Sequence, residues 1–224
     1  MNELSFSVTK DVLDLGVKIV TARISDLKNT DTDLDFETYK NKQLEEIKKQ
    51  WDGKKYKDDP VLAGFRDLHT KVGRSNREYV ASPEGLRWFF LERGRFLQIN
   101  LLVDCYNLVS LKSGLALDAH DTSKVNGNIT LRLTKGDEMF IPLGKSEPLP
   151  IFPNEYSYVD DGNNIICRME VLQVEPTKVT ADTNDVFVII EGNSNTELQY
   201  VMDTAKEVCE LIIKYCCGSY SFLD

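Results

Sequence analysis

The apolar pattern of this chain predicts an α+β protein, with helices packed on a mainly antiparallel sheet system. Three observations carry that expectation. Between Asp58 and Gly114, three short amphipathic segments follow one another, each closed by a glycine at Gly73, Gly94 or Gly114. From Asn128 the apolar period drops to two, with Ile129, Leu131 and Leu133 alternating with Thr130, Arg132 and Thr134. Further on, Val186-Phe-Val-Ile-Ile190 is continuously apolar and reads as a strand buried on both faces.

Taken in order, Ser5 to Val8 and Val17 to Ile24 read as strands, the second alternating loosely through Val17, Ile19, Ala22 and Ile24. Phe36, Tyr39, Leu44, Ile47 and Trp51 then lay a helical stripe over a charged segment. Asp58-Asp-Pro60 starts the next helix, because proline suits the first turn and carboxylates suit its positive end. Leu62, Phe65, Leu68 and Val72 face the core there, with His69 beside them as an ordinary packed histidine. Ser82-Pro-Glu84 starts another helix, and Leu101 to Ser113 the third. In that third helix Asp104 and Asn107 lie three residues apart on one face; alone, such a pair reads as solvent-facing. Leu115 to Val125, with Asp118, His120 and Asp121, is expected as an acidic loop.

After the Ile129 strand, Lys135-Gly-Asp-Glu138 reads as a turn and Met139 to Leu143 as its returning partner. Tyr156 to Val159, Asn164 to Arg168 and Val171 to Val174 are further strands. Ser194-x-x-Glu197 is a capping-box pattern for a last helix that keeps its apolar spacing to Cys216. The tail from Gly218 to Asp224 is expected to fray.

Composition narrows the function. The chain has 224 residues and a net charge of −9, from 27 basic and 36 acidic residues. That balance argues against broad phosphate-driven binding of DNA or RNA. It leaves room for a local basic patch, for which Arg66 to Lys71, Arg74 to Arg77 and Arg87 to Arg95 are candidates. No apolar run approaches a membrane span and the first ten residues lack a signal-peptide pattern, so the expected location is cytoplasmic. Cys105, Cys167, Cys209, Cys216 and Cys217 form no Cys-x-x-Cys pair, and His69 and His120 are the two histidines. On spacing, no metal site and no cofactor are expected. Gly-x-Ser-x-Gly, phosphate-cradling glycine loops and metalloprotease histidine pairs are missing from the sequence. Any hydrolysis has to rest on positioning and polarising a water.

Asn100-Leu-Leu-Val-Asp-Cys-Tyr-Asn-Leu-Val-Ser-Leu-Lys-Ser-Gly-Leu-Ala, followed by Ala119-His-Asp-Thr-Ser-Lys-Val, resembles the B3/B4 domain of the phenylalanyl-tRNA synthetase β chain. The likeness is closer to freestanding proteins that carry this domain without a synthetase. It continues through Thr130-Leu-Arg-Leu, Phe140-Ile-Pro-Leu-Gly, Thr177-Lys-Val-Thr-Ala-Asp-Thr and Val186 to Gly192, covering roughly residues 60 to 192. The resemblance implies a single B3/B4-like domain over residues 1–224, with 1–59 as an N-terminal extension and 195–217 as a C-terminal helix. In the synthetase this domain hydrolyses tyrosine wrongly attached to the phenylalanine tRNA.

The resemblance also implies site residues. Asn107 matches an asparagine that lines the editing pocket, and Glu191 the glutamate that reads the misplaced tyrosine hydroxyl. The synthetases carry a histidine at the place of Asp118, so here Asp118 and His120 are the candidates for water handling. Cys167-Arg168-Met169-Glu170 stands where the family has a glycine-rich pocket wall; facing inward, Arg168 and Glu170 make a smaller or more polar pocket. Alternation puts those two on one face, which also suits a mutual surface ion pair. Thr177 and Thr180 offer donors for the terminal adenosine or a phosphate, and loop capping is the other use of such groups. The implied function is a trans-acting, metal-free aminoacyl-tRNA deacylase that binds the 3′ end of a charged tRNA. The alternatives are a non-catalytic tRNA- or amino-acid-binding module and a hydrolase of small esters. Oligomeric state is left open.

Overall fold

The computed structural model describes residues 4–223. Two sheets face each other. The first runs β1 (Phe6–Val8), β4 (Ile129–Leu133), β5 (Tyr156–Asp160), β6 (Ile165–Arg168) and β7 (Leu172–Gln173), with β1 parallel to β4 and the other pairs antiparallel. The second is antiparallel throughout, in the order β3 (Ala116–Asp121), β8 (Asp185–Gly192), β2 (Lys18–Ser25), β9 (Ser219–Leu223). Strands from the first 59 residues therefore belong to both sheets.

Alternation along the second sheet explains its two environments. Val186, Val188 and Ile190 of β8, with Leu117 and Ala119 of β3, pack toward α5 (Leu101–Ser113) and α6 (Leu198–Cys216). Phe187 and Ile189, with Ala116, point the other way, onto Ile129, Leu131, Tyr156 and Tyr158 of the first sheet. Asp118, His120 and Glu191 share this second parity, so they sit between the sheets rather than under the helices. α5 is buried on almost every side, as a helix apolar all round must be.

The helix boundaries follow their local signals. Asp59 caps α3 (Pro60–Lys71) by accepting from the Val61 N–H, and Asn100 caps α5 by accepting from Val103. Gly94 and Gly114 close α4 (Ser82–Arg93) and α5 in the left-handed region, where a side chain is disfavoured. The charged stripe forms α2 (Leu34–Gln50), and a short α1 (Lys10–Asp14) follows β1.

Several expectations are corrected. The supposed acidic loop after Gly114 is β3, whose residues are mostly buried and register against β8 from Ala116↔Glu191 to Asp121↔Val186. Met139 to Leu143 makes only isolated bridges, Met139 with Asn164 and Pro142 with Val174; β4 pairs instead with β1 and β5. The capping box does not form: α6 starts after Glu197, which makes no side-chain cap bond. The tail through Leu223 pairs as β9 on the edge of β2. Asp104 is buried, accepting from the Ile99 N–H and lying 3.5 Å from the buried Lys40 ammonium. Among the described residues, no helix is long and apolar enough to cross a membrane.

Candidate functional site

A cavity of about 250 Å³ opens between the sheets, roofed by α5. Its walls are largely apolar, from Val103, Tyr106, Leu117, Met169, Leu172 and Ile189. Its polar groups are Asn107, Asp118, Tyr158, Glu170, Gln173 and Glu191, with Lys178 at one side. A concave, mostly apolar site with a few convergent polar groups is the form small-molecule sites take.

Glu191 is 1% exposed, at the far end of β8. Its Oε2 accepts a 2.6 Å hydrogen bond from the Tyr158 hydroxyl, while Oε1 is buried with no partner. Burial first, and the Glu170 carboxylate second, push its carboxyl well above the usual carboxylate range; the Tyr158 hydrogen bond only partly opposes them.

Glu170 is held from behind by two buried donors. His69 Nε2 donates to its Oε1 at 2.5 Å, and the Tyr156 hydroxyl donates to its Oε2. His69 Nδ1 faces the Asn76 side-chain oxygen at 3.1 Å, so both ring nitrogens meet side-chain oxygens, which favours the protonated ring. Burial pulls its pKa down, but the charge and hydrogen bond of Glu170 outweigh that and the net direction is up. The ordinary packed histidine expected from the sequence is thus a buried ion-pair partner of the pocket floor.

Asp118 lies at the pocket wall opposite Gln173. Its Oδ1 accepts from Gln173 Nε2 at 2.7 Å and from the Ala119 N–H at 2.8 Å. Its Oδ2 stands 3.3 Å from His120 Nε2, close enough for an ion pair but out of line for a hydrogen bond, so that nitrogen is buried without a hydrogen-bonding partner. The other ring nitrogen, Nδ1, is 2.9 Å from the Thr177 hydroxyl. His120 is fully buried behind Asp118 and does not line the cavity. Cys167 does line it, and the donor atoms of Asp118, His120 and Cys167 all lie within 4.8 Å of one another. Burial, ahead of the nearby Asp118 and Glu191 charges, pushes the Cys167 thiol well up.

The structure brings together Asn107, Asp118 and Glu191 and separates the other candidates from the cavity. Arg168 points away from it: its guanidinium grips Glu155 through Nε and Nη2 at 2.7 and 2.8 Å and meets the Tyr79 hydroxyl at 3.0 Å. Alternation had paired Arg168 with Glu170, but Met169 is left-handed at φ 51° and turns Glu170 back toward the pocket. The expected mutual ion pair is therefore two separate ones. Thr177 serves His120 rather than the cavity, and Thr180 caps a loop, its N–H donating to Thr183 Oγ1. The basic patch also dissolves in part: Arg66 pairs with Glu84, Arg74 with Glu155, and Arg87 is buried against Asp59 and Trp51. Sequence reasoning missed Tyr158 and Gln173 as pocket residues, and named Cys167 only as the first residue of the wall segment; nothing local distinguishes the first two from ordinary strand residues.

Comparisons with known proteins bear on the family and the fold. The B3/4 domain profile matches residues 65–217. A phenylalanine–tRNA ligase β subunit from Wolbachia sp. subsp. Brugia malayi is 30% identical over 111 residues, covering 49% of this chain and 14% of that protein. Those from Photorhabdus laumondii and Cutibacterium acnes are 28% and 32% identical over 109 and 102 residues, covering 49% and 46% of this chain. The chain spans only 12–14% of the length of these relatives. An N-terminal fragment of the phenylalanyl-tRNA synthetase β subunit from Pyrococcus horikoshii shares the fold at a TM-score of 0.53 and 15% identity, covering 98% of this chain and 51% of that one. With the profile matched over more than half its length, the chain belongs to the B3/4 domain family.

Proposed function

We propose that residues 1–224 act as one B3/B4-like unit that binds the aminoacylated 3′ end of a tRNA and hydrolyses the ester of a mischarged amino acid. The observation that carries this reading is the unpartnered Oε1 of Glu191 at the floor of an apolar-walled cavity. An empty hydrogen-bonding position on a buried acid discriminates strongly for a side chain bearing a hydroxyl or amine, because a ligand without one leaves the group unsatisfied. Asn107 and Gln173 supply amide groups on the cavity walls for the amino acid. Asp118 Oδ2 stands 3.3 Å from His120 Nε2 at the wall of the same cavity, and Asp118 is where the attacking water is handled. The ester is already activated, so fixing carbonyl and water in register supplies much of the acceleration.

Glu170 makes this floor more acidic than a glycine-rich wall does, so the preferred amino acid need not be tyrosine. The test is a deacylation screen of purified protein against a panel of mischarged tRNAs, with Glu191→Ala and Asp118→Ala alongside. The expected result is release of one amino-acid class, altered in selectivity by Glu191→Ala and lost with Asp118→Ala. No acceleration on any charged tRNA, with uncharged tRNA or free amino acid still bound, supports the second reading, a binding module. That reading draws on the aspartate at position 118, where the synthetases carry histidine, and on the net charge of −9.

A further inference from the structure

We propose that Asp118, His120 and Cys167 form a binding site for a transition-metal dication, zinc foremost, with an open coordination position facing the pocket. The starting point is His120 Nε2: fully buried, without a hydrogen-bonding partner and 3.3 Å from the Asp118 Oδ2 carboxylate oxygen. A buried ring nitrogen left without a hydrogen bond is unfavourable, and a cation shared with the adjacent carboxylate relieves it. The neighbours of His120 and Asp118 already hold these two residues as a metal needs. Thr177 holds His120 Nδ1, which fixes the ring and leaves Nε2 to ligate, as outer-shell groups do for metal-bound histidines. Gln173 and the Ala119 N–H occupy Asp118 Oδ1, while Oδ2 faces His120.

The geometry fits. Zinc bonds of about 2.0–2.3 Å place tetrahedral donors roughly 3.3–3.8 Å apart. The Asp118–His120 separation meets that, and the donor atoms of all three residues lie within 4.8 Å of one another, so a rotation of the Cys167 side chain closes the set. That rotation releases the 3.0 Å contact from the Cys167 thiol to the Met169 carbonyl. Thiolate plus imidazole plus carboxylate favours zinc over magnesium or calcium. Three protein ligands with a fourth position open is the arrangement of catalytic rather than structural zinc. Asp118 and Cys167 reach the cavity while His120 lies behind them, which turns the open position toward the cavity.

Binding exchanges the Cys167 thiol proton, released to solvent, for the metal. On the editing reading, a water at the fourth position loses its proton to solvent and its oxygen adds to the ester carbonyl carbon. The carbon–oxygen bond to the ribose then breaks, and the ribose oxygen takes up a proton. On this proposal the water is handled on the metal, where the sequence leads us to expect metal-free handling.

The site is tested by binding, apart from activity. The full chain, loaded with zinc and dialysed, should retain stoichiometric metal. Titrated with cobalt(II) alone, it should show thiolate-to-cobalt charge-transfer absorption. Cys167→Ser should abolish that band, and Thr177→Val, a positioning change, should weaken cobalt affinity roughly 10–100-fold. Asn107→Ala should leave both unchanged. A chain shown by circular dichroism to be folded that retains no zinc and gives no band overturns the proposal, as does a band that survives in Cys167→Ser. Deacylation without bound metal and insensitive to chelator sinks the metal and keeps the editing reading. Metal binding with no deacylation on any tRNA does the reverse.

Discussion

The Tyr158 hydroxyl donates a 2.6 Å hydrogen bond to Glu191 Oε2, tying an interior strand of one sheet to an interior strand of the other. The bond spans the base of the cavity, so a carboxyl that lines the cavity is also part of the inter-sheet packing. On the proposed reading, ligand selection and stability are coupled at this carboxyl.

That coupling has a pH signature. The folded-state pKa of Glu191 is raised well above the ordinary 4.5, by burial and then by Glu170. The native state therefore keeps a proton that the unfolded chain releases, and stability falls as pH rises from 4.5 toward the raised value. Glu191→Gln keeps an acceptor for Tyr158 and has nothing to ionise. Urea unfolding at a series of pH values should show the variant gaining on the native protein above pH 4.5, with the gap growing toward neutrality. Parallel curves across that range would remove the buried-acid account.

Stability at the His69–Glu170 pair also falls as pH rises, in a window that starts higher. His69 is raised above 6.5, so its stabilisation is complete below 6.5 and is lost as pH climbs through the raised value. His69→Gln breaks a buried pair and should cost about 3–5 kcal/mol at mildly acidic pH. The penalty should shrink in alkaline buffer, where native His69 gives up its proton. Calorimetric melting at both ends of the range checks this; an equal loss throughout would mean His69 packs as a neutral ring.

Arg87 is buried against Asp59 and donates from Nε to the Leu111 carbonyl at 3.1 Å, holding the end of α5 that leads into β3. Arg87→Met should destabilise by about 3–5 kcal/mol, because Asp59 loses its cation. Arg87→Lys should recover part of that, since the charge returns without the planar fork that reaches the carbonyls. Chemical denaturation of the pair gives both numbers, and a loss below about 1 kcal/mol for Arg87→Met would contradict a buried pair.

Gly64 on α3 lies against the Asn193 side chain, where a Cβ would overlap the amide. Asn193 Nδ2 donates to the Val61 carbonyl at 2.9 Å, joining α3 to the turn after β8 and Glu191. Gly64→Ala should cost about 1–3 kcal/mol by overpacking. Repeating it on Asn193→Ala should remove most of that increment, and an unchanged increment would place the clash elsewhere.

Much of the fold was legible because its causes are local. Asp59-Pro60, Gly94 and Gly114 act on their own helix termini, and the period of Ile129 to Leu133 reports the strand it lies on. The site was legible only in part. Asn107 and Glu191 came from the family resemblance, and the unusual place of a glutamate after Val186–Ile190 agreed with it. β3 was missed because Asp118, His120 and Asp121 look like loop residues until β8 and the opposing sheet satisfy them.

By itself, then, the sequence determined the α+β class, most helix boundaries, the B3/B4 family and three residues that line the pocket, Asn107, Asp118 and Glu191. Tertiary structure alone decided which way the polar residues of β3, β6 and the turn after it face. Arg168 turned to Glu155, Glu170 to His69 and the cavity, and Asp118, His120 and Cys167 to one another. The reason is physical. Buried polar groups are placed by the partners that satisfy them, and here those partners lie on the other sheet or on a distant helix, beyond the reach of any local pattern.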